Sequence, residues 1–477
     1  MPAIAEIVLA GLLCTILVAA MYIQEAKRYP FVQLSVLLSF GLTMALVVIN
    51  RDAEALALGD LYVLDSFAVV FKLLILLAGF FALLMGSDYI KLVGFNRFEY
   101  PILAGFAVLG MMMMLSAHDL MSLYIGLELQ SLSLYVLAAM RRDSLYATEA
   151  GLKYFVLGAL ASCLLLYGSS LVYGFIGATD YSAIAASIIE MKAGNAEISK
   201  GAIVGLVIVL IAVGFKLSAV PFHMWTPDVY EGAPTSVTAF FASAPKIAAF
   251  GLVLRLAGEP FGEMMVEWQQ VIIALSALSM ILGALAGLVQ SNLKRLMAYS
   301  SIGHVGFALM GMAAGGQDGF IAVGVYLMIY LFTVIGTFAC ILAMRRGDTP
   351  VDSLNDLAGI GKTHHLLGIC LMLFMFSMAG IPPLAGFFAK YYVFVAAIDS
   401  NLVWLAVIGA LSSVVSAFYY IRIIKIIYFE ETDKPLELNI APMVKLVMII
   451  SLIMAVGFVF YPSFITLPAE FAAQGLF

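Results

Sequence analysis

Apolar stretches of about 20 residues follow one another along almost the whole chain, near 4–23, 31–50, 64–86, 101–117, 119–140, 150–176, 202–225, 235–255, 268–289, 299–314, 320–344, 366–396, 402–427 and 441–461. A segment of that length spans a bilayer as a helix, because hydrocarbon offers no partner to an unpaired backbone group. The succession therefore predicts an all-α polytopic membrane protein of about 14 transmembrane helices, in a single integral domain over 1–477. Apolar residues make up 64% and charged residues 11% of the chain, against about 25% charged in soluble domains. The connecting stretches, the longest near 177–200 and 346–365, leave no room for a soluble domain, and nothing points to nucleic acid.

The first span is too long, and lacks the small-residue site, for a cleaved signal peptide, so it is expected to be retained. Placing the amino terminus outside puts Lys27, Arg28, Lys91, Arg97, Arg141, Arg142, Lys294, Arg295, Arg345, Arg346, Lys362 and Lys434 on inward loops, against Arg51, Lys192, Lys200 and Arg255 on outward ones. Basic residues favour the cytoplasmic side, so both termini are expected to be periplasmic. The inward loop with Asp228 and Glu231 has no basic residue and is an exception.

Several chemistries are excluded. Cys14, Cys163, Cys340 and Cys370 lie within spans without C-x-x-C spacing, which argues against a disulfide framework or an iron–sulfur cluster. The five histidines include no i, i+4 pair for a metal, so no metal site is expected. The adjacent His364 and His365 read as a solvated pair. Gly359-Ile360-Gly361-Lys362-Thr363 lacks the glycine a phosphate loop needs six residues before its lysine, where Asp356 stands.

Spans four to eight (101–255) and nine to thirteen (268–428) can be set side by side as two five-helix units, flanked by three spans in 1–90 and a last span in 441–477. Five is odd, so the second unit enters the bilayer in the opposite sense, giving inverted repeats of the kind that build transport paths at the midplane. Lys216-Leu217-Ser218-Ala219-Val220-Pro221 in span seven and Phe376-Ser377-Met378-Ala379-Gly380-Ile381-Pro382-Pro383 in span twelve both set proline inside an apolar helix. Proline removes a donor and clashes with the preceding turn, so spans seven and twelve are expected to be broken.

Five lysines, Lys72, Lys153, Lys216, Lys246 and Lys390, sit within apolar stretches. A charge at membrane depth is costly and is retained where it titrates or carries charge. Glu128 and Lys216 are expected to form the working pair, with Lys246 passing a proton sideways and Lys390 delivering it to the outer side. His304, in the counterpart of span five, joins the candidate set. The alternative for Lys216, Lys246 and Lys390 is a set of fixed structural ion pairs. Lys153 lies near a span end, where it either joins the relay or snorkels to the interface. Lys72 lies two turns from Asp65, which suggests a structural ion pair or contact with a partner subunit. Tyr299, Ser300 and Ser301 are expected to satisfy backbone groups.

The run Phe222-His223-Met224-Trp225-Thr226-Pro227-Asp228-Val229-Tyr230-Glu231-Gly232-Ala233-Pro234-Thr235, then Ala244-Pro245-Lys246, resembles the antiporter-like subunits of bacterial respiratory complex I, the proton-pumping NADH:quinone oxidoreductase, and within them the N-type subunits. Asn292-Leu293-Lys294-Arg295-Leu296-Met297-Ala298-Tyr299-Ser300-Ser301-Ile302-Gly303-His304 and Gly380 to Lys390 also fit. The resemblance implies redox-driven proton translocation, with Glu128, Lys216, Lys246 and Lys390 at the family's charged positions. It implies no cofactor on this chain, with NADH, FMN, iron–sulfur clusters and quinone on partner subunits. Expected partners are the antiporter-like neighbour M, small subunits such as K and J, and lipids, in the bacterial inner membrane. Lys72 falls outside that pattern. The competing classes are a subunit of a multisubunit sodium/proton antiporter and a quinone- or haem-binding membrane anchor.

Overall fold

The computed structural model describes residues 2–194, 198–346, 349–431, 436 and 440–476, so Lys434 lies outside the described residues. The first part contains α1 (Ile4–Met21), α2 (Glu25–Ile49) and α3 (Ser66–Val93), with a short hairpin of β1 (Ala55–Ala57) and β2 (Tyr62–Leu64) before α3. There follow α4 (Glu99–Leu115), α5 (Leu120–Ala138), α6 (Leu145–Ile176), α7 (Tyr181–Ala193), α8 (Lys200–Leu217), α9 (Trp225–Gly232) and α10 (Thr235–Gly258). The rest comprises α11 (Met265–Leu288), α12 (Leu293–Ala314), α13 (Gly316–Ala343), α14 (Ile360–Thr363), α15 (His365–Ala379), α16 (Ala385–Asp399), α17 (Val403–Phe429), α18 (Pro442–Gly457) and α19 (Ser463–Gln474).

Eleven of these are long and apolar enough to cross a membrane, and α4, α15 and α18 are shorter apolar helices in the other expected stretches. The short α7, α9, α14 and α19 do not show up in a search for apolar runs because they mix polar and apolar residues. Both breaks occur where proline placed them. Helix α8 ends at Leu217 with Ser218 in the left-handed region (φ 64), and α15 ends at Ala379 with Gly380 there (φ 87). Pro245, in contrast, lies inside a continuous α10.

Polar residues start the helices at the membrane edge. Asp65 Oδ1 accepts from the Ala68 amide (2.7 Å), Asp119 from Met121 (2.6 Å), Asp180 from Ala183 (2.9 Å) and Asn292 from Arg295 (3.1 Å). Each satisfies an amide that the first turn leaves open. Between helices the packing depends on small residues, since lipid tails remove the hydrophobic incentive to associate. A Cβ on Gly110 of α4 would lie 2.5 Å from the Gln130 amide nitrogen of α5, and one on Gly283 of α11 would lie 2.5 Å from the Gly303 nitrogen of α12. Any larger residue would force those pairs apart. The apolar windows of α10 and α13 are entirely buried, and these two helices form the axis of the bundle.

Candidate functional site

The α8 break is held from several directions. Lys246 Nζ, reaching across from α10, donates to the Leu217 carbonyl (2.7 Å) and to Ser218 Oγ (2.5 Å). Trp225 Nε1 donates to the Phe215 carbonyl (3.0 Å), and the Val220 amide donates to Ser279 Oγ of α11 (2.9 Å). Carbonyls freed at a helix end carry partial negative charge, so an ammonium is a favourable partner there. The α15 break repeats the arrangement. Lys390 Nζ donates to the Ala379 carbonyl (2.9 Å) and to Ser413 Oγ of α17 (2.8 Å), while the Gly386 amide donates to Ser377 Oγ (3.1 Å). Phe307 and Trp225 present ring faces to Lys390 and Lys246, at 4.8 and 5.7 Å.

Lys216 does not turn toward its own break. Its Nζ donates to Ser131 Oγ (2.7 Å) and reaches the Tyr135 hydroxyl (3.4 Å), both on α5. Glu128 lies one turn before Ser131 on the same helix and is half-buried, and its Oε1 makes no hydrogen bond. The structure thus brings Lys216 to the helix of Glu128 without a direct ion pair; Ser131 and Tyr135 stand at the ammonium instead. Among the described residues, none of Lys216, Lys246 and Lys390 has a carboxylate within ion-pair distance.

His304 lies between the two lysine-capped breaks. One ring nitrogen is 2.6 Å from the Tyr326 hydroxyl and the other 3.2 Å from that of Tyr420, which is 2.5 Å from Ser300 Oγ. The Tyr330 hydroxyl donates to Ser301 Oγ (3.0 Å). Ser300 and Ser301 therefore bond side chains of α17 and α13, not the backbone groups expected of them. Two small cavities flank the imidazole. One of about 10 Å³ has Lys246 in its wall, and the other, of about 20 Å³, reaches Ser377 and Gly386 at the second break. Cavities of that order are about the size of a single water. The three tyrosines escaped the sequence reading, although Tyr326 and Tyr330, four apart, mark one polar stripe on an apolar helix.

Lys153 and Lys72 have carboxylate partners. Lys153 is half-exposed and pairs with Glu149 (2.7 Å) and Asp228 (2.6 Å). Arg295 holds Asp228 (2.7 Å) and Glu231 (2.9 Å), so the acidic loop that lacked basic residues in the sequence borrows them from α6 and α12. Burial pushes the Asp228 carboxyl up, but Lys153 and Arg295 outweigh it and hold it below the ordinary carboxylate range. Lys72 is not paired with Asp65. It contacts Glu6 Oε1 (2.6 Å) and donates to the Tyr62 hydroxyl (2.7 Å), because Asp65 is taken by Arg255 through two contacts of 2.8 and 2.9 Å. Arg255 also binds Glu259, whose other oxygen lies 3.5 Å from His118 Nδ1. The Glu259 contact raises the His118 imidazole pKa against the opposing effect of burial. Elsewhere the buried Lys294 lies 3.7 Å from Asp352. Among the described residues no group of three or more His, Cys, Asp or Glu is arranged to hold a metal. His365 is exposed, as expected of a solvated pair, with Nδ1 2.8 Å from the Gly361 carbonyl, while His364 is half-buried and lies 3.0 Å from the Leu436 carbonyl.

Residues 117–416 match the family described as NADH:quinone oxidoreductase/Mrp antiporter, TM. NADH-quinone oxidoreductase subunit N of Rhodospirillum rubrum is 52% identical over 479 residues, covering 100% of this chain and 97% of its own. NADH-quinone oxidoreductase subunit N 1 of Rhizobium meliloti is 49% identical over 444 residues, or 92% of this chain and 91% of its own. Among solved structures, a chain of respiratory complex I from Thermus thermophilus with bound aureothin superposes with a TM-score of 0.82 at 30% identity, over 97% of this chain and 98% of that one. A chain of the Mrp complex from Dietzia superposes with a TM-score of 0.87 at 21% identity, over 100% and 97%, a likeness of fold alone.

Proposed function

Since this chain belongs to the NADH:quinone oxidoreductase/Mrp antiporter transmembrane family, we propose that it is the N-type membrane subunit of a bacterial NADH:quinone oxidoreductase and moves protons through the bundle axis. The observation that carries this reading is the set of buried ammonium groups without a carboxylate, two of which cap broken helices. An ammonium ligated only by hydroxyls and carbonyls keeps a proton occupancy that responds to any charge arriving nearby, whereas a tight ion pair holds it fixed.

The proposed route takes a proton to Lys216 by way of Ser131 and Tyr135, under the influence of Glu128. It continues to Lys246, through the water-sized gap to His304, and through the second gap to Lys390. Lys153 fixes α9 through Asp228 and stands at the edge of this route. In this reading α4–α10 and α11–α17 are the two inverted units: each opens with a helix pair packed glycine against backbone and each contains one break capped by a lysine. The chain itself carries no redox group. NADH, FMN, iron–sulfur clusters and quinone are assigned to partner subunits, with M, K and J as membrane neighbours. The site of action is the bacterial inner membrane, with both termini periplasmic.

Lys216→Ala tests the reading. NADH-driven proton pumping and coupled quinone reduction should fall while the complex still assembles. Normal pumping in that variant would reject the route.

A further inference from the structure

The Glu6–Lys72 pair has no part in the proposed route, yet it forms the polar head of a second site. Glu6 is buried, and no hydrogen bond reaches its Oε2. A cavity of about 290 Å³ opens beside it, at the end of the bundle where α1, α3 and α5 begin and α4 ends. The walls are graded. Glu6, Tyr62 and Ser122 lie toward that end of the bundle, while Ala10, Leu109 and Ile125 extend one or two turns deeper. Ile7 and Ile125 are exposed, so the slot is open along the flank between α1 and α5.

The volume would take about ten waters at liquid density, but a mostly apolar cavity is a poor host for them. A buried acceptor without a donor is also costly. An amphiphile whose apolar part lies deep and whose N–H donors stay at the boundary satisfies both conditions. The single Ser122 hydroxyl proton is shared between the Asp119 carbonyl (2.9 Å) and the Leu61 carbonyl (3.0 Å), so toward a ligand its oxygen acts as an acceptor. Glu6 Oε2 and Ser122 Oγ therefore call for a donor, and Glu6 adds negative charge, which makes the interaction charge-assisted.

We propose that this slot binds one membrane phospholipid with a primary ammonium headgroup, its N–H directed at Glu6 Oε2 and Ser122 Oγ and an acyl chain lying against Ala10, Leu109 and Ile125. The lipid's own phosphate keeps the added net charge at zero, so the Glu6–Lys72 pair stays balanced. A trimethylammonium head has the charge but no N–H, and the site discriminates against it.

The test uses the whole purified complex, exchanged into nanodiscs containing equal amounts of phosphatidylethanolamine and phosphatidylcholine with the same chains. Native mass spectrometry then counts retained lipid. The ethanolamine lipid should be enriched about fivefold, the factor that one net hydrogen bond supplies. Ala10→Trp fills the slot while leaving the ion pair intact, and should abolish the enrichment. Glu6→Leu combined with Lys72→Met removes the acceptor without stranding a buried charge, and should do the same. Equal retention of both lipids by the wild type, or enrichment that survives Ala10→Trp, overturns the proposal. So does a cross-link from Ile125→Cys to another polypeptide, which would show the slot filled by protein.

Discussion

Lys246 at the centre of the bundle and Lys72 and Arg255 near its end are equally buried, each about 1% exposed, yet they have different partners. Lys72 and Arg255 each sit against a carboxylate, Glu6 and Asp65. Lys246, with Lys216 and Lys390, is surrounded by hydroxyls, carbonyls and ring faces. Burial alone therefore does not mark a proton-carrying residue. The type of partner does, because an ion pair fixes the charge while a neutral donor–acceptor shell leaves it free to respond.

The largest effect expected from breaking this contrast lies at the paired end. Asp65→Leu leaves Arg255 buried beside Glu259 alone and also removes the α3 cap, and should lower stability by about 3–5 kcal/mol, read as a drop in the thermal transition of the complex. Pumping per assembled complex should be retained. Adding Arg255→Met should restore most of the loss, since an apolar replacement of a buried pair is nearly neutral. At the axis the outcome should be reversed. Lys390→Ala should reduce the pumping rate by about 100-fold, the lower range for loss of a positioned proton-transfer group, with assembly intact.

A smaller effect concerns His118. Its pKa is raised by Glu259, so its stabilising contribution is fully present below the ordinary histidine value of about 6.5 and is lost as pH rises through the raised value. Thermal stability of the complex should decline over that interval in the wild type and flatten in His118→Gln. The smallest effect belongs to Lys153. Its pairs are half-exposed, so Lys153→Ala should cost no more than about 1 kcal/mol and leave pumping close to wild type in vesicle assays. A loss as large as that of Lys390→Ala would erase the distinction between paired and unpaired cations.

Much of this was legible before the structure. The apolar runs located the helices, and Pro221, Pro382 and Pro383 located both breaks, although Pro245 leaves α10 continuous, so a proline in an apolar run marks a candidate break and the neighbouring structure decides it. The lysines stood out for the same local reason. Their partners did not, because those depend on where distant helices meet. Asp65 and Lys72 share a helix face in the sequence, but Asp65 caps α3 and binds Arg255, 190 residues away. Lys216 lies next to its own break, yet its side chain turns to Ser131, 85 residues earlier, and it is Lys246 that caps the break. The tyrosines around His304 come from α13 and α17, and hydroxyls of that kind are too common in membrane helices to be singled out by pattern.

The most direct test is the ratio of protons pumped to NADH oxidised in sealed vesicles for Lys246→Met, which keeps the length of the side chain and removes its charge. The ratio should fall well below that of the wild type while NADH oxidation with an artificial acceptor is unchanged. A normal ratio would contradict the claim that unpaired buried ammonium groups carry the proton.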